Sequence, residues 1–197
     1  MKSVNLVASL PYHGKYEEGD FIGVDNGASY LFHDSIDMVA VIGDFDSLPE
    51  KDYQAISMSD VEMIRLNPIK DETDLAVAIN YAIANDYTNI NVYGALGKRV
   101  DHTLININLL KKYPMIVLYD ETTKVFILPK GKHQIKTKDY QYCSFFAIKD
   151  SIISLAGFKY PLTNYELKTD DTLCISNEIK SHSQVETNED IIVVLAK

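Results

Sequence analysis

The sequence of 197 residues has few cysteines, few basic side chains and no long apolar run, and each shortage excludes a class of protein. Its two cysteines, Cys143 and Cys174, belong to no CxxC pair or histidine cluster, so we expect small buried side chains in a reducing cytoplasm. No stretch approaches the roughly 18 apolar residues that cross a bilayer, and the opening segment MKSVNLVASLPYHG has only a short, interrupted apolar run. We therefore expect no membrane partner and a protein that stays in the compartment where it is made.

Basic residues are outnumbered by acidic ones, 19 against 28, which gives a formal net charge of −9. Nucleic acids and anionic membranes need a basic surface on the protein, so neither is an expected partner. Clustered carboxylates favour a divalent cation instead. The chain is 46% hydrophobic and 24% charged, which is typical of a globular protein with a packed core and excludes a disordered or fibrous one.

The periodicity of apolar residues changes near residue 125 and predicts two domains. Over residues 1–125, short apolar runs alternate with helical patterns at about 72–85 and 101–112, which predicts an α/β domain with a mostly parallel sheet. Over residues 126–197, short alternating segments that include TLCISN predict an antiparallel β-sandwich or a small barrel. A unit of about 70 residues is marginal for a core of its own, so it is expected to pack on the first domain or on another subunit.

The segment GDFDS places Asp44 and Asp46 directly after the apolar run MVAVI. Ligands bind at the carboxyl ends of the strands in an open parallel sheet, and side chains two apart on an extended chain point the same way. Two such carboxylates are suitable ligands for Mg²⁺. The alternative is an ordinary turn built from Gly, Asp and Ser, with Pro49 preventing a helix soon afterwards.

The segment KDETD, residues 70–74, opens a predicted helix. Extending the apolar stripe of that helix backwards places Asp71 and Asp74 on nearly the same face, as a second pair of carboxylates near the sheet edge. The alternative is a helix cap, since Asp or Thr73 can accept the free amide hydrogen bonds of a first turn.

The segment GALGKRVDH lies between a predicted strand and a predicted helix. Gly94 and Gly97 would let the backbone approach phosphate oxygens closely, and a helix start presents free N–H groups to an anion. Arg99, one of only two arginines in the chain, adds a forked cation suited to phosphate. His102 is either a site residue or a surface or packing residue near a helix start.

A fourth segment at a predicted strand end is GVDNGA, which carries Asp25, Asn26 and Gly27 and could also be a simple turn. Four predicted strand ends therefore bring acids and one arginine to the same edge of the expected sheet. This accumulation favours a site for phosphate and metal over a set of unrelated turns.

In their order and spacing these segments resemble the thiamine pyrophosphokinase family. The resemblance rests on DNGA, GDFDS, KDETD and GALGKRVDH, followed by GFKYPL and ISNE in the second half, and it covers nearly the whole chain. It implies an α/β domain for nucleotide and metal, then a β-sandwich domain for thiamine binding and dimerisation. It also implies a homodimer with active sites at the subunit interface.

The resemblance implies a Mg²⁺-dependent transfer of a pyrophosphoryl group from ATP to the hydroxyl of thiamine, which gives thiamine diphosphate and AMP. Catalysis would then depend mainly on positioning and electrostatic stabilisation. The matching residues expected to hold Mg²⁺ or orient the nucleophile are Asp44, Asp46, Asp71 and Asp74. Arg99 would bind phosphate, and Asp101 would orient a substrate group or accept the hydroxyl proton. The residue that acts as general base, if any, is left open. Further residues expected to contact the substrates are Asp25, Asn26, Gly27, Thr73, Gly94, Gly97 and His102.

The thiamine pocket is less clearly marked in the sequence. Ser176 and Asn177 match the SNE segment of the family and are expected to contact the pyrimidine, although they could also form a turn. The chain has no tryptophan, so Tyr160 and Phe158 are the candidates to stack on the ring.

Three other functions compete with the kinase. A metal-dependent phosphohydrolase would use Asp44 as nucleophile, but the expected downstream lysine and later acids are missing. An inactive protein that senses thiamine or nucleotide would have little use for several carboxylates. A structural dimerisation module would explain the second half only.

Overall fold

A computed structural model describes residues 2–69, 71–135 and 139–197, and the chain divides into two compact units. The first unit comprises Met1–Leu109 and Met115–Glu121, and the second comprises Leu110–Pro114 and Thr122–Lys197. Lys70 of the KDETD segment lies outside the described residues.

Strands of the first unit form a parallel sheet. Its strands within the described residues are β1 (Ser3–Val7), β2 (Asp20–Val24), β3 (Ala40–Gly43), β4 (Glu62–Arg65), β5 (Asn89–Tyr93) and β6 (Ile116–Tyr119). They lie in the order β6, β5, β1, β2, β3, β4, and each neighbouring pair is parallel. Their carboxyl ends therefore meet at one edge, as the alternation of apolar runs predicts.

The helices are α1 (Gly27–His33), α2 (Glu50–Ser57), α3 (Asp74–Ala84) and α4 (Val100–Lys112). The helix predicted at about residues 101–112 matches α4, which starts one residue earlier. The helix predicted at about residues 72–85 corresponds to α3, which starts two residues later than predicted. Thr73 has an extended backbone, and its hydroxyl accepts the Ala76 N–H at 3.2 Å, so it caps the helix. Asp71 therefore precedes the helix, and the backward extension of its apolar stripe to Asp71 was wrong.

Helices α1 and α2 have no counterpart among the predicted elements. Both are short, with seven and eight residues, so neither carries enough turns for a clear apolar period. Pro49 was expected to stop a helix, whereas it lies at the N-cap of α2. Proline is tolerated there because the first amides of a helix have no partner within the helix.

The second unit is built from antiparallel strands. Its strands within the described residues are β7 (Thr123–Leu128), β8 (Gly131–Ile135), β9 (Tyr142–Ala147), β10 (Ser151–Phe158), β11 (Leu162–Leu167), β12 (Asn177–Thr187) and β13 (Ile191–Ala196). The order is β11, β10, β12, β9, β13, β7, with β8 paired to β12. Phe145 and Phe158 pack edge to face in its core at 5.7 Å between ring centroids.

Cys143 and Cys174 are both buried in the second unit, as predicted, and both are free cysteines. Burial raises the pKa of both thiols, most strongly for Cys143. The predicted strand TLCISN is wrong, because residues 172–176 belong to no strand and β12 begins only at Asn177.

The predicted α/β class is confirmed by the helices and parallel strands of the first unit. Among the described residues, no helix has the length and apolar character to span a membrane.

Candidate active site

A cavity of about 270 Å³ lies at the carboxyl edge of the parallel sheet. The loops that follow β1, β2, β3 and β5, together with the starts of α3 and α4, form its walls. Its lining residues are Ala8, Ser9, Leu10, Val24, Asp25, Ser47, Thr73, Asp74, Leu75, Gly94, Ala95, Gly97, Lys98, Arg99, His102 and Asn106. The cavity thus collects side chains from all four sequence segments that were predicted to meet.

Asp25 enters the cavity from the loop between β2 and α1. Its backbone has a positive φ of 49°, and its N–H donates to the carbonyl of Ile42 at 3.0 Å, which ties this loop to the end of β3. Asn26 precedes α1 and Gly27 is its first residue, and neither is among the residues that line the cavity.

The GDFDS segment is a tight turn rather than an extended chain. Phe45 has a positive φ of 64°, and Asp44 Oδ1 accepts the N–H of Asp46 at 3.1 Å. The expected alternation of side chains therefore does not apply here. Asp44 is half-buried and Asp46 is exposed, and of this segment Ser47 lines the cavity. Their role as metal ligands stays a prediction.

The start of α3 separates the two acids of the KDETD segment. Thr73 and Asp74 line the cavity and are half-buried, whereas Asp71 is exposed and is not a lining residue. The carboxylate of Asp74 also lies in the first turn of the helix, where the positive end of the helix dipole stabilises a negative charge.

The loop from Gly94 to Arg99 connects β5 to α4 and contributes the basic side of the cavity. Gly94 has a φ of 67°, and a side-chain carbon there would lie 2.1 Å from the carbonyl oxygen of Leu10, so only glycine fits. Lys98, Arg99 and His102 all line the cavity and are exposed. Three basic side chains at one cavity contrast with the acidic balance of the whole chain.

Arg99 and Asp101 form a two-pronged ion pair. Arg99 Nη2 donates to Asp101 Oδ2 at 2.6 Å, and Arg99 Nε donates to Oδ1 at 3.2 Å. The hydrogen bond from Arg99 lowers the pKa of Asp101 to about 2. A carboxylate with so low a pKa is a weak proton acceptor, and the pair holds the guanidinium in the geometry that suits a phosphate.

Two side chains that no sequence pattern indicated hold this basic loop by hydrogen bonds to its backbone. Thr103 Oγ1 accepts the N–H of Gly97 at 2.9 Å, and Asn106 Nδ2 donates to the carbonyl of Ala95 at 2.8 Å. Both lie on α4, and Asn106 is buried. Polar residues on an otherwise buried helix face are the signal that could have indicated them.

Ser176 and Asn177 lie in the second unit, as the residue before β12 and the first residue of that strand. The side chain of Asn177 is buried, and both of its polar atoms make hydrogen bonds within its own unit. Its Oδ1 accepts the N–H of Tyr160 at 3.0 Å, and its Nδ2 donates to the Tyr160 carbonyl at 2.7 Å. Ser176 is exposed. Of the two stacking candidates, Phe158 is buried in the core and Tyr160 is exposed.

The cavity also offers donors for a metal. Among the described ranges, no three His, Cys, Asp or Glu side chains lie close enough together to form a ready-made metal site. Mg²⁺ is usually held by one or two carboxylates together with substrate phosphates and water, rather than by a cage of protein ligands. Asp25, Asp74, Ser47 and Thr73 line the cavity and carry hard oxygen atoms of the kind that Mg²⁺ prefers.

Comparison with known proteins assigns this chain to a family. Residues 17–127 match the family model described as the thiamin pyrophosphokinase catalytic domain, and residues 132–192 match that of the vitamin B1 binding domain. The chain belongs to the thiamin pyrophosphokinase family. This confirms the resemblance inferred from the sequence.

Relatives in the thiamin pyrophosphokinase family match over most of the chain. A thiamine pyrophosphokinase of Bacillus subtilis (strain 168) is 35% identical over 193 residues, which cover 91% of this chain and 90% of the relative. The crystal structure of thiamine pyrophosphokinase from Bacillus subtilis has a TM-score of 0.89 at 32% identity, covering 100% of this chain and 99% of that one. The crystal structure of the thiamin pyrophosphokinase from Geobacillus thermodenitrificans has a TM-score of 0.87 at 29% identity, with 99% and 97% covered.

Proposed function

We propose that this chain transfers a pyrophosphoryl group from ATP to the hydroxyl of thiamine, giving thiamine diphosphate and AMP. Membership of the thiamin pyrophosphokinase family supports an enzyme with this reaction, as the sequence predicted. The observation that carries the proposal is the cavity at the sheet edge, which is lined by basic side chains and by carboxylates together. A polyphosphate with a bound divalent cation needs both kinds of group.

The basic loop would bind the phosphates of ATP. Arg99 presents two N–H groups side by side, and they are now occupied by Asp101, whose carboxylate resembles a phosphate in charge and spacing. Lys98 and His102 line the same cavity and would add donors to the phosphate oxygens. Ligand pockets usually measure about 300–1,000 Å³, so a cavity of about 270 Å³ suits the polyphosphate better than a whole nucleotide.

Asp74 and Asp25 are the residues best placed to hold Mg²⁺, and we keep Asp44 and Asp46 as predicted contributors from a flanking loop. A metal-binding role for Asp71, which is exposed and is not a lining residue, stays a prediction from the sequence. When bound, the metal would neutralise charge that develops on the phosphate oxygens during transfer. The residues themselves contribute a fixed arrangement, since Thr73 caps the helix that carries Asp74 and Ile42 anchors the backbone of Asp25.

In the reaction, the thiamine hydroxyl oxygen forms a bond to the β-phosphorus of ATP. The bond from that phosphorus to the oxygen shared with the α-phosphate breaks, and AMP leaves with the bonding pair. The hydroxyl proton must pass to a base. Asp101 is not a lining residue of the cavity, so we propose that whichever of the cavity carboxylates Asp25 and Asp74 does not hold Mg²⁺ receives the proton.

The second unit is proposed to bind thiamine and to form a homodimer with active sites at the subunit interface. The match of residues 132–192 to the vitamin B1 binding domain supports the first role. We keep a domain boundary near residue 125 and a β-sandwich over residues 126–197 as part of this proposal. A cytoplasmic location remains a prediction from the sparse cysteines.

The proposal is tested by incubating the protein with ATP and Mg²⁺, with and without thiamine, and separating the nucleotides by chromatography. We expect AMP and thiamine diphosphate in equal amounts, only when thiamine is present, and no product when the metal is chelated. Formation of ADP or free phosphate would favour a phosphohydrolase instead. Thiamine binding without turnover would favour a sensing protein.

A further inference from the structure

The loop between β1 and β2, residues 8–19, forms a wall of the cavity that no sequence pattern indicated. We call it the β1 loop. Its first three residues, Ala8, Ser9 and Leu10, line the cavity, and its remaining residues include two tyrosines, Tyr12 and Tyr16. A loop of this length needs fixed contacts to keep a constant shape.

Tyr93, the last residue of β5, holds both ends of the β1 loop. Its carbonyl accepts the N–H of Ala8 at 2.8 Å, and its hydroxyl oxygen accepts the N–H of Glu17 at 3.0 Å. The side chain of Tyr93 is completely buried, and this burial raises the pKa of its hydroxyl, so the group stays neutral. One residue therefore fixes where the loop leaves the sheet and where it returns.

The carbonyl of Glu17 accepts a hydrogen bond from a side chain of β1. Asn5 Nδ2 donates to it at 2.8 Å, and Asn5 Oδ1 in turn accepts from Asn91 Nδ2 at 3.1 Å. Asn5 and Asn91 are register partners on β1 and β5, and both are buried. Buried side-chain amides are costly unless their hydrogen bonds are made, so these contacts restrict Glu17 strongly.

Aromatic packing completes the attachment of the β1 loop. The rings of Tyr12 and Tyr16 lie 4.8 and 4.9 Å from the ring of Tyr93, measured between centroids. Tyr93 is also stacked on Tyr119 at 5.0 Å. These contacts bury the inner face of the loop against the end of β5.

Tyr93 directly precedes the basic loop of the cavity. The N–H of Leu10 donates to the carbonyl of Gly94 at 3.1 Å, so the β1 loop and the basic loop run side by side from this point. A shift of Tyr93 or of the β1 loop would therefore displace the backbone beside Arg99 as well.

We infer that Tyr93 is a positioning residue that sets the β1 loop against the basic loop and so shapes the phosphate-binding part of the cavity. This inference rests on the proposed function, since the expected ligand is the polyphosphate of ATP. Loosening the loop weakens ATP binding and leaves thiamine binding unchanged.

The test compares two tyrosine-to-phenylalanine variants in the same aromatic cluster. Tyr93→Phe keeps the ring and removes the hydroxyl that accepts the Glu17 N–H. Tyr16→Phe is the matched control, because the buried Tyr16 hydroxyl has no hydrogen-bond partner among the described residues. We expect Tyr93→Phe to raise KM for ATP about fivefold, with kcat and KM for thiamine unchanged, and Tyr16→Phe to change none of these constants. Asn5→Ser, which shortens the donor to the Glu17 carbonyl, is expected to act in the same direction as Tyr93→Phe.

Cleavage by trypsin after Lys15 gives a second reading that does not depend on turnover. Lys15 is exposed on the β1 loop, and we expect faster cleavage there in Tyr93→Phe than in the unaltered protein or Tyr16→Phe. An unaltered protein that makes no AMP would contradict the proposed function alone, while cleavage would still report on the loop. Equal KM for ATP and equal cleavage in the two phenylalanine variants would overturn the inference.

Discussion

The carboxylate of Asp25 lies directly over the α-carbon of Gly43. A side-chain carbon added at Gly43 would fall 2.1 Å from Asp25 Oδ1 and 3.1 Å from its Cγ. Gly43 ends β3 and Asp25 follows β2, so neighbouring parallel strands meet here with no room for a side chain between them. The position of the Asp25 carboxylate in the cavity therefore depends on a glycine on the next strand.

Gly43→Ala is expected to displace the Asp25 carboxylate and to lower kcat/KM by about 10- to 100-fold, the usual loss when a residue that orients a ligand is changed. Steady-state kinetics of Gly43→Ala, Asp25→Ala and the double variant measure this. Because the effect of the alanine passes through Asp25, the double variant should be no worse than Asp25→Ala. Additive losses would mean that Gly43 acts by another route.

Asp74→Asn and Asp71→Asn separate the two acids of the KDETD segment. Asp74 lines the cavity, whereas Asp71 is exposed and is not a lining residue. Asp74→Asn therefore removes a charge from the site, and Asp71→Asn removes one from the surface. We expect Asp74→Asn to lower kcat/KM by roughly 100-fold or more and to require more Mg²⁺. Asp71→Asn should stay within about threefold of the unaltered protein. A larger loss for Asp71→Asn would restore it to the metal site predicted from the sequence.

Arg99→Lys is expected to raise KM for ATP roughly tenfold, because lysine keeps the charge but cannot make two parallel hydrogen bonds to one phosphate. Arg65→Lys is the matched control, since Arg65 is the other arginine of the chain and is not a lining residue of the cavity. Initial rates against ATP concentration distinguish the two. An unchanged KM in Arg99→Lys would exclude two-pronged binding.

Asp101 is expected to cause no inflection in the pH profile of kcat/KM near neutral pH. Its pKa falls from 3.8 to about 2, so the group is ionised at every pH above about 4 and takes up a proton only as the pH falls through about 2. Asp101→Asn should therefore lower kcat/KM without moving its inflections between about pH 5 and 9. Loss of an acidic inflection in Asp101→Asn would show that Asp101 is the titrating base.

Asn177→Ala is expected to lower the stability of the protein while changing the KM for thiamine little. Both polar atoms of the side chain are bonded to the backbone of Tyr160, so its removal should lower the free energy of unfolding by about 2 kcal/mol. Ser176→Ala is the control, since its exposed side chain should contribute less than about 0.5 kcal/mol. Urea unfolding and KM for thiamine are measured on both. A higher KM with unchanged stability would support the predicted contact with the pyrimidine.

Apolar patterns in the sequence were sufficient to predict the regular elements of the first unit that are long enough to show a period. The alternation of apolar runs predicted the parallel sheet, and α4 was placed to within one residue, because a helix of three or more turns carries a clear apolar stripe. Helices α1 and α2 lack that length and were missed. The predicted start of α3 was wrong because the capping hydroxyl of Thr73, and not the apolar stripe, determines where the helix begins.

By itself, the sequence determined which chemical groups follow the strands, because the positions of the acids and of Arg99 after each apolar run are properties of the chain. Only the tertiary structure decided which of them line the cavity and which are already engaged. Asp71 is outside the lining, Asp101 is paired with Arg99, and Tyr93 accepts a hydrogen bond from Glu17, 76 residues away along the chain. Such contacts arise between segments distant along the chain, and their distances and burial depend on packing that no local pattern encodes.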